Sequence, residues 1–422
     1  MSVAMALPAG SREAPPDEAE LLIIGGGIMG LAVAYNAARL GQKGIVVVER
    51  NYLCSGASGR NGGGVRMQWS SEDNVRLMQE SVEICKRFAA EMGVNVWFRQ
   101  GGYLFLVRNE SLIDTLEKNV AIQNRCGVPT RILTPKEAHK LVPELTLDHV
   151  VSASFNPKDG VLFPWPFLWG YAHRAIELGV HLHTFAEVEG FETSNGRITH
   201  VHVAAAKEHP PAANLENAQE GEPIIQRRSW KKVVHAKHVV NATGAWSPKL
   251  TEPLGLVLPN LPYRHEILTT EPLKPFLDPM VTVLGEGIYF SQSMRGEIVG
   301  GMGDPDEPSS YNQTSSLAFV RRFAKAATEL LPLLGNVQVV RQWAGLYDVS
   351  PDGRPIIGES SRIPNMTLLS GFTGHGFMMA PIMGKLCAER LVKGVRVDYF
   401  DKNGPDRFAL GIGKNEESMI IG

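Results

Sequence analysis

The sequence predicts an α/β protein, α+β overall, in which a discontinuous Rossmann-like domain holds an inserted, mainly antiparallel-sheet domain. Three observations predict it. Leu21–Gly30, LLIIGGGIMG, reads as a strand, a glycine turn and the start of a helix. Further glycine-rich loops lie at 55–64 and, near the other end of the chain, at 371–376. Between these ends the chain is strand-rich, so a nucleotide-binding domain built from both ends must be interrupted by a sheet domain.

The first element carries the most physics. Leu21–Ile24 is apolar throughout, as a parallel strand buried on both faces requires. Gly25, Gly27 and Gly30 supply G-x-G-x-x-G: a tight turn, close approach of a pyrophosphate to the backbone, and close packing of helix on strand. Ile28–Leu40 has helical spacing and Gly41 suits its end. The N–H groups at the helix start, around Ile28 and Met29, suit phosphate. A second strand, Ile45–Val48, ends in Glu49, followed by Arg50; an acid placed roughly 20 residues on is the expected ribose contact. The motif predicts a dinucleotide without saying which.

Composition narrows the class. A chain of 422 residues with 44% hydrophobic and 20% charged residues is globular and long enough for two domains. A net charge of −2, with no long basic run, gives no support for nucleic acid or an anionic membrane as partner. No apolar stretch reaches spanning length. Cys54, Cys85, Cys126 and Cys387 are scattered, which argues against a disulfide framework or a cysteine zinc site and fits a reducing, cytoplasmic setting. Residues 1–19 read as a loose, disordered tail and 396–422 as a C-terminal tail.

Taken in order, the remaining elements are these. A helix spans 71–92, opened by a serine cap and closed by Gly93. Strands are expected over 96–107 about a Gly101-Gly102 turn, then helices over 111–126 and 134–141. A strand at 150–155 leads into the turn Asn156-Pro157-Lys158-Asp159-Gly160. A helix within 163–178, starting near Pro166, precedes strands at 180–188 and 191–203. Residues 204–228, rich in Ala, Glu, Pro and Asn, read as an exposed excursion before a strand at 233–240. Strands at 266–270, 281–284, 288–292 and 297–300, a helix at 315–333, strands at 337–347, 355–358 and 366–370, and a last helix at 377–392 complete the chain. The expected domains are a nucleotide-binding part from 20–92, 150–250 and 340–395, and a substrate-binding part from 93–149 and 251–339.

Nicotinamide and flavin are the two candidate rings. A nicotinamide enzyme usually needs only the first motif, whereas three further stretches here suit the same ligand and favour FAD. The loop after the second strand offers Ser55, Ser58, Gly59, Arg60, Asn61, Gly62 and Gly63 to phosphate and ribityl oxygens. Ala242, Thr243, Gly244 and Trp246 form a small-residue turn at a strand end, and Val188 is assigned to the same site. Gly371, Thr373, Gly374, His375, Gly376 and Phe377 feed a helix whose N-terminal dipole would stabilise a reduced, anionic flavin ring. The pairs His181/His183 and His200/His202 are read as structural, with no carboxylate at ligand spacing and no metal site.

From about Glu20 to Lys393 the sequence resembles the D-amino-acid-oxidase-type flavoprotein family. Within it, the stretches SGRNGGGVRMQWSSEDNVRLMQES, QGGYLFLVRNE, NVAIQNRCGVPTRILTPKEAHKLVPEL, SFNPKDG and GFTGHGFMMAPIMGKL are similar to the beta subunits of heterotetrameric sarcosine oxidases and of dye-linked L-proline dehydrogenases. The resemblance implies FAD and oxidation of a secondary or N-methyl amino acid, by hydride transfer from the α-carbon to flavin N5. It implies Arg66 as the carboxylate anchor, with Tyr289, Tyr347, His375 and His265 as further catalytic candidates. Monomeric relatives attach FAD through a cysteine where this chain has Gly345, which implies non-covalent FAD. Heterotetrameric relatives tether FMN to a histidine where this chain has Pro164, which leaves only a non-covalent FMN at a subunit interface. Monomeric relatives carry a lysine over the flavin, and residues 288–301 contain none. The expectation is a catalytic beta-type subunit with an alpha-type partner, passing electrons to a downstream acceptor. The alternatives are an NAD-dependent dehydrogenase and a non-catalytic, FAD-containing assembly subunit.

Overall fold

The structure, a computed structural model, describes residues 10–206, 229–411 and 418–419. The strand Glu18–Ile24 lies inside a sheet of order Ile356–Ser360, Ile363–Ser370, Lys231–Asn241, Glu18–Ile24, Ile45–Glu49, His181–Thr184. It is parallel to both neighbours, with Leu22 opposite Val46 on one side and Val239 on the other. Because side chains alternate along a strand, Leu21 and Ile23 pack into one core while Leu22 and Ile24 pack into another. The helices Ile28–Arg39, Glu72–Met92, Pro164–Glu177 and Gly376–Lys393 cover the first face. The hairpin Ala186–Ser194 and Arg197–Ala205, continuing antiparallel onto Lys231–Asn241, covers the other. Two glycines make the turn possible. Gly25 has φ +111°, and a Cβ on Gly30 would sit 2.0 Å from the Gly25 carbonyl oxygen.

The second sheet runs Val339–Val349, Leu261–Pro272, Glu297–Met302, Ile288–Gln292, Met280–Val283, Tyr103–Val107, Ser152–Asn156, Arg131–Leu133. Every pairing is antiparallel except that of Met280–Val283 with Tyr103–Val107. Leu104 and Leu106 face a core completed by Phe319 and Phe323 of the helix Leu317–Leu330. Tyr103, Phe105 and Val107 face the opposite way, toward Leu116 of the helix Ile113–Arg125.

Helix ends follow the capping chemistry. Ser71 Oγ accepts the Asn74 N–H, and Gly93 ends the same helix in the left-handed conformation. Thr134 and Glu137 form a capping box at Pro135–Leu141. The helix expected near Pro166 starts at Pro164, and the one expected over 315–333 is Leu317–Leu330, capped by Ser316.

Several expected boundaries change. Ser152–Asn156 and Val339–Val349, placed with the nucleotide-binding part, pair in the second sheet. Alternating apolar residues show that a strand is buried but not which sheet receives it. The strand expected from 96 forms only over Tyr103–Val107, with Arg99 making an isolated bridge to Val161. The described part of the expected N-terminal tail is held: the Ser11 N–H donates to the Leu182 carbonyl at 2.7 Å, and a strand begins at Glu18. Residues 1–9 lie outside the described residues. The expected C-terminal tail contains the helix Asp398–Lys402 and Arg407, buried in an ion pair with Asp352 at 2.9 Å. Of the expected excursion, Ala204 and Ala205 belong to a strand, and 207–228 lie outside the described residues. Among the described residues no helix is long and apolar enough to cross a membrane.

Candidate active site

A cavity of about 450 Å³ runs between the two sheets, and its walls are built by the segments singled out from sequence. One end is formed where the strand Ile45–Glu49 stops. Glu49 accepts the Gly26 N–H at 2.8 Å and the Asn51 N–H at 2.9 Å. Burial pushes its carboxyl pKa up, and the two backbone bonds and Arg50 pull the other way. The Arg50 guanidinium lies 4.1 Å over the Trp246 ring. Val188 completes this end, together with Glu187, Lys249 and Leu250, which sequence reasoning missed.

The middle of the cavity is the glycine turn and the loop 55–64. Ser58 and Ile28, both expected as phosphate contacts, bond each other: the Ile28 N–H donates to Ser58 Oγ at 3.0 Å. This pins the loop to the helix start, whose other first-turn N–H groups, including that of cavity-lining Met29, have no partner within the helix. Arg60 is a strap: Nε donates to the Ser55 carbonyl at 3.0 Å and Nη1 to the Ala344 carbonyl at 2.8 Å. The loop is thereby tied to the second sheet. Asn61 Oδ1 accepts the Gly63 N–H at 2.7 Å. Asn241 Oδ1 accepts from Thr243 Oγ1 at 2.7 Å, fixing the turn of Ala242, Thr243 and Gly244. Asp348 accepts the Gly371 N–H at 2.6 Å and Ser370 Oγ at 3.0 Å, clamping the last glycine loop below the helix Gly376–Lys393. Gly62, Gly345, Gly374, Gly376 and Phe377 line the cavity; Gly30, Gly59, Gly371 and Thr373 stand behind its wall.

The far end is aromatic. The His265 ring stacks on Tyr347, with centroids 4.3 Å apart, and its Nε2 lies 3.1 Å from the Tyr289 hydroxyl. Burial, with Arg322 adding to it, pushes the His265 pKa down to about 4. Burial likewise pushes the hydroxyl pKa values of Tyr103, Tyr289 and Tyr347 up. This end therefore holds neutral groups at neutral pH. Tyr103 and Met280 belong to it, and the sequence reading passed over both.

Arg66, the carboxylate anchor implied by the resemblance, is fully buried and stands behind the cavity wall. Its guanidinium donates to the carbonyls of Gln68 and Met419 and lies beside Nε2 of cavity-lining His375 at 3.0 Å. It rests 4.5 Å over the Trp69 ring. Burial, then Arg66, hold the His375 pKa well below its ordinary value, so that ring is neutral. The segment bearing Arg66 is fixed from below by Asp159. Asp159 accepts the Met67 N–H at 2.7 Å, Gln68 Nε2 at 3.0 Å and Asn156 Nδ2 at 2.7 Å. Burial pushes the Asp159 pKa up to about 7 against these bonds and Arg66. From sequence Asp159 read only as part of a turn; the signal available was an acid in a stretch that carried the family resemblance.

His200 and His202 both meet Glu192 of the adjacent strand, at 3.3 and 2.9 Å. The strand pairing thus supplies the carboxylate that the linear spacing did not show. Among the described residues no group of His, Cys, Asp or Glu has the geometry to hold a metal ion.

The lining fits FAD. The Gly27 Cβ position meets only Ser58 Oγ, at 3.1 Å, and is otherwise open. A helix start, an acid at the end of the second strand and a second helix start border one continuous space.

Comparison with known proteins agrees. A family model described as "FAD dependent oxidoreductase" matches residues 20–390. The sarcosine oxidase subunit beta of Rhizobium meliloti is 29% identical over 408 residues, covering 94% of this chain and 91% of that protein. The FAD-dependent oxidoreductase domain-containing protein 1 of Xenopus laevis is 27% identical over 422 residues, covering 90% and 80%. The crystal structure of L-proline dehydrogenase from P. horikoshii superposes with a TM-score of 0.83 at 34% identity, covering 95% of this chain and all of that one.

Proposed function

The chain belongs to the FAD-dependent oxidoreductase family, and from that premise we propose that it oxidises a secondary or N-methyl amino acid of the sarcosine or proline kind. One observation carries the reading: a neutral aromatic end of the cavity, walled by Tyr103, His265, Tyr289 and Tyr347, with the Arg66 guanidinium directly behind His375. Bound FAD supplies the acceptor for the hydride that leaves the substrate's α-carbon. The chain's own residues bind and orient. Arg66 takes the carboxylate through its planar fork. The aromatic rings exclude water and place no fixed charge beside the amine, which reacts in its neutral form. Fixing the carboxylate at one point aims the C–H bond, so positioning and not proton transfer is the protein's main contribution.

The same proposal covers assembly and electron flow. FAD is held non-covalently, with Gly345 at the wall. The chain acts as a catalytic beta-type subunit, a reading supported by its similarity to a sarcosine oxidase subunit beta. Electrons pass to a carrier protein or a second flavin, FMN, at a subunit interface, in keeping with residues 288–301 having no lysine. The four described cysteines are free and buried, which suits the cytoplasm.

Arg66→Ala tests the reading. The concentration of amino acid that half-reduces the bound flavin without oxygen rises by about a hundredfold, the loss of about 3 kcal/mol expected for a buried charge-assisted contact. An unchanged concentration contradicts the carboxylate assignment.

A further inference from the structure

The segment 303–316 joins the strand Glu297–Met302 to the helix Leu317–Leu330, and it is pinned along the strand Leu261–Pro272 of the second sheet. Arg264 Nε and Nη2 donate to the two Glu307 carboxylate oxygens at 2.9 and 2.7 Å, and its Nη1 donates to the Thr314 carbonyl at 3.0 Å. Glu266 accepts the Ser316 N–H at 2.5 Å and Ser316 Oγ at 3.0 Å. The Ser310 N–H donates to the Pro262 carbonyl at 3.1 Å. A guanidinium and a carboxylate paired fork to fork fix direction as well as distance, so the base of the loop aims its tip.

That tip lands on the other half of the molecule. The Tyr311 ring lies 5.8 Å from the Trp246 ring, centroid to centroid, and Lys249 Nζ stands 3.6 Å from the Tyr311 centroid. Arg50 covers Trp246 at 4.1 Å, so two rings and two cations form one chain of contacts. Arg50 follows the strand Ile45–Glu49, whereas Trp246 and Lys249 follow Lys231–Asn241, and all three border the cavity at the end where Glu49 stands. Gln313 lines the cavity too, and its Nε2 is buried with no hydrogen-bond partner among the described residues. A donor left over at a cavity wall calls for an acceptor on whatever fills the cavity.

We propose that 303–316 is a clasp that completes the adenosine end of the cofactor site from the opposite sheet. Tyr311 locks the clasp to Trp246 and Lys249, and Gln313 brings an amide donor to the oxygens of the nucleotide. The adenosine lies at this end because an acid closing the second strand takes the ribose. FAD leaves only after Tyr311 has parted from Trp246. The clasp acts on the cofactor alone, whichever amine is oxidised.

Two measurements without substrate test this. FAD-loaded protein is diluted and the release of flavin is followed by its fluorescence; FAD-free protein is titrated with ADP, which carries the adenosine end and no flavin ring. Tyr311→Ala removes a ring pair and a cation contact, and FAD release becomes about tenfold faster. ADP binding weakens in the same variant. Tyr311→Phe keeps the ring and releases FAD at the parent rate. Glu307→Gln loosens the base of the loop from outside the cavity and speeds release in the same direction, which keeps the proposal testable should Tyr311→Ala fold poorly. Gln313→Ala weakens ADP binding. Release at the parent rate in both Tyr311→Ala and Glu307→Gln overturns the proposal. So does faster release with ADP affinity unchanged, because the loop then does not act at the adenosine end. Anaerobic reduction by amino acids is a separate measurement, and its failure removes the proposed reaction without touching either result.

Discussion

At the scale of the residue, the site works by keeping charge scarce. His265 is neutral because burial pulls its pKa from the ordinary 6.5 down to about 4. The sign of the resulting pH dependence follows. Between those values the unfolded chain binds a proton that the folded chain refuses, so stability is complete above about pH 6.5 and falls as pH drops toward 4. His265→Gln keeps a polar group beside Tyr289 and removes that proton, so chemical denaturation at pH 4.5 and pH 7.5 shows a smaller acid-induced loss in the variant, by up to about 3 kcal/mol. An equal loss in both proteins means that His265 does not titrate in this window. Tyr289, Tyr347, His265 and His375 were named as candidates through the family resemblance, and all four line the cavity. Arg66 was named through the same resemblance, but its contacts were not legible. Its partner Met419 lies 353 positions away, and nothing in the linear pattern reports a contact of that range.

At the scale of the element, the strand–turn–helix at Glu18–Arg39 shows how far pattern reading goes. Its three glycines were assigned different duties, and the backbone separates them. Gly30 is a packing glycine, with the Gly25 carbonyl oxygen 2.0 Å from where a Cβ would sit. Gly27 opens onto the cavity. Gly30→Ala therefore destabilises the protein whether or not FAD is present, by about 1–3 kcal/mol as overpacked cores do. Gly27→Ala leaves the FAD-free protein near its parent stability and weakens FAD binding by about tenfold or more, about 1.4 kcal/mol. Denaturation of the FAD-free proteins beside FAD titration checks both, and equal behaviour of the two variants contradicts the division. Strongly periodic elements such as the helix Glu72–Met92 were legible to within a residue or so, because cap chemistry marks their ends. Ser152–Asn156 and Val339–Val349 were legible as strands and not as members of the second sheet. Strand partners are set by hydrogen bonds to residues far away, and both sheets bury apolar faces.

At the scale of the molecule, the cavity lies between two sheets that bonds at its wall tie together, Asp348 holding Ser370 and Gly371 on one side. Arg60 crosses from the loop of the first to the Ala344 carbonyl of the second, and Trp343 Nε1 returns a bond to the Arg60 carbonyl at 3.1 Å. A dinucleotide filling that space touches both sides. FAD at about a thousand times its dissociation constant then adds about 4 kcal/mol to the stability of the FAD-free protein. A melting temperature that rises with FAD concentration checks this, and one that ignores FAD contradicts the placement of the cofactor between the sheets. The nucleotide grip was readable because its demands are local: glycines, a helix start and an acid at a fixed spacing. The substrate end was readable only in outline. Tyr103 and Met280 come from adjacent parallel strands far apart in sequence, so no linear pattern unites them. The most direct measurement is anaerobic addition of sarcosine, L-proline and their carboxylate-free amine counterparts to the FAD-loaded protein, following the flavin band at about 450 nm. Bleaching by at least one of the two amino acids, with its amine counterpart far less effective, is the predicted result. A band that no amino acid bleaches, or that the amines bleach equally well, contradicts it.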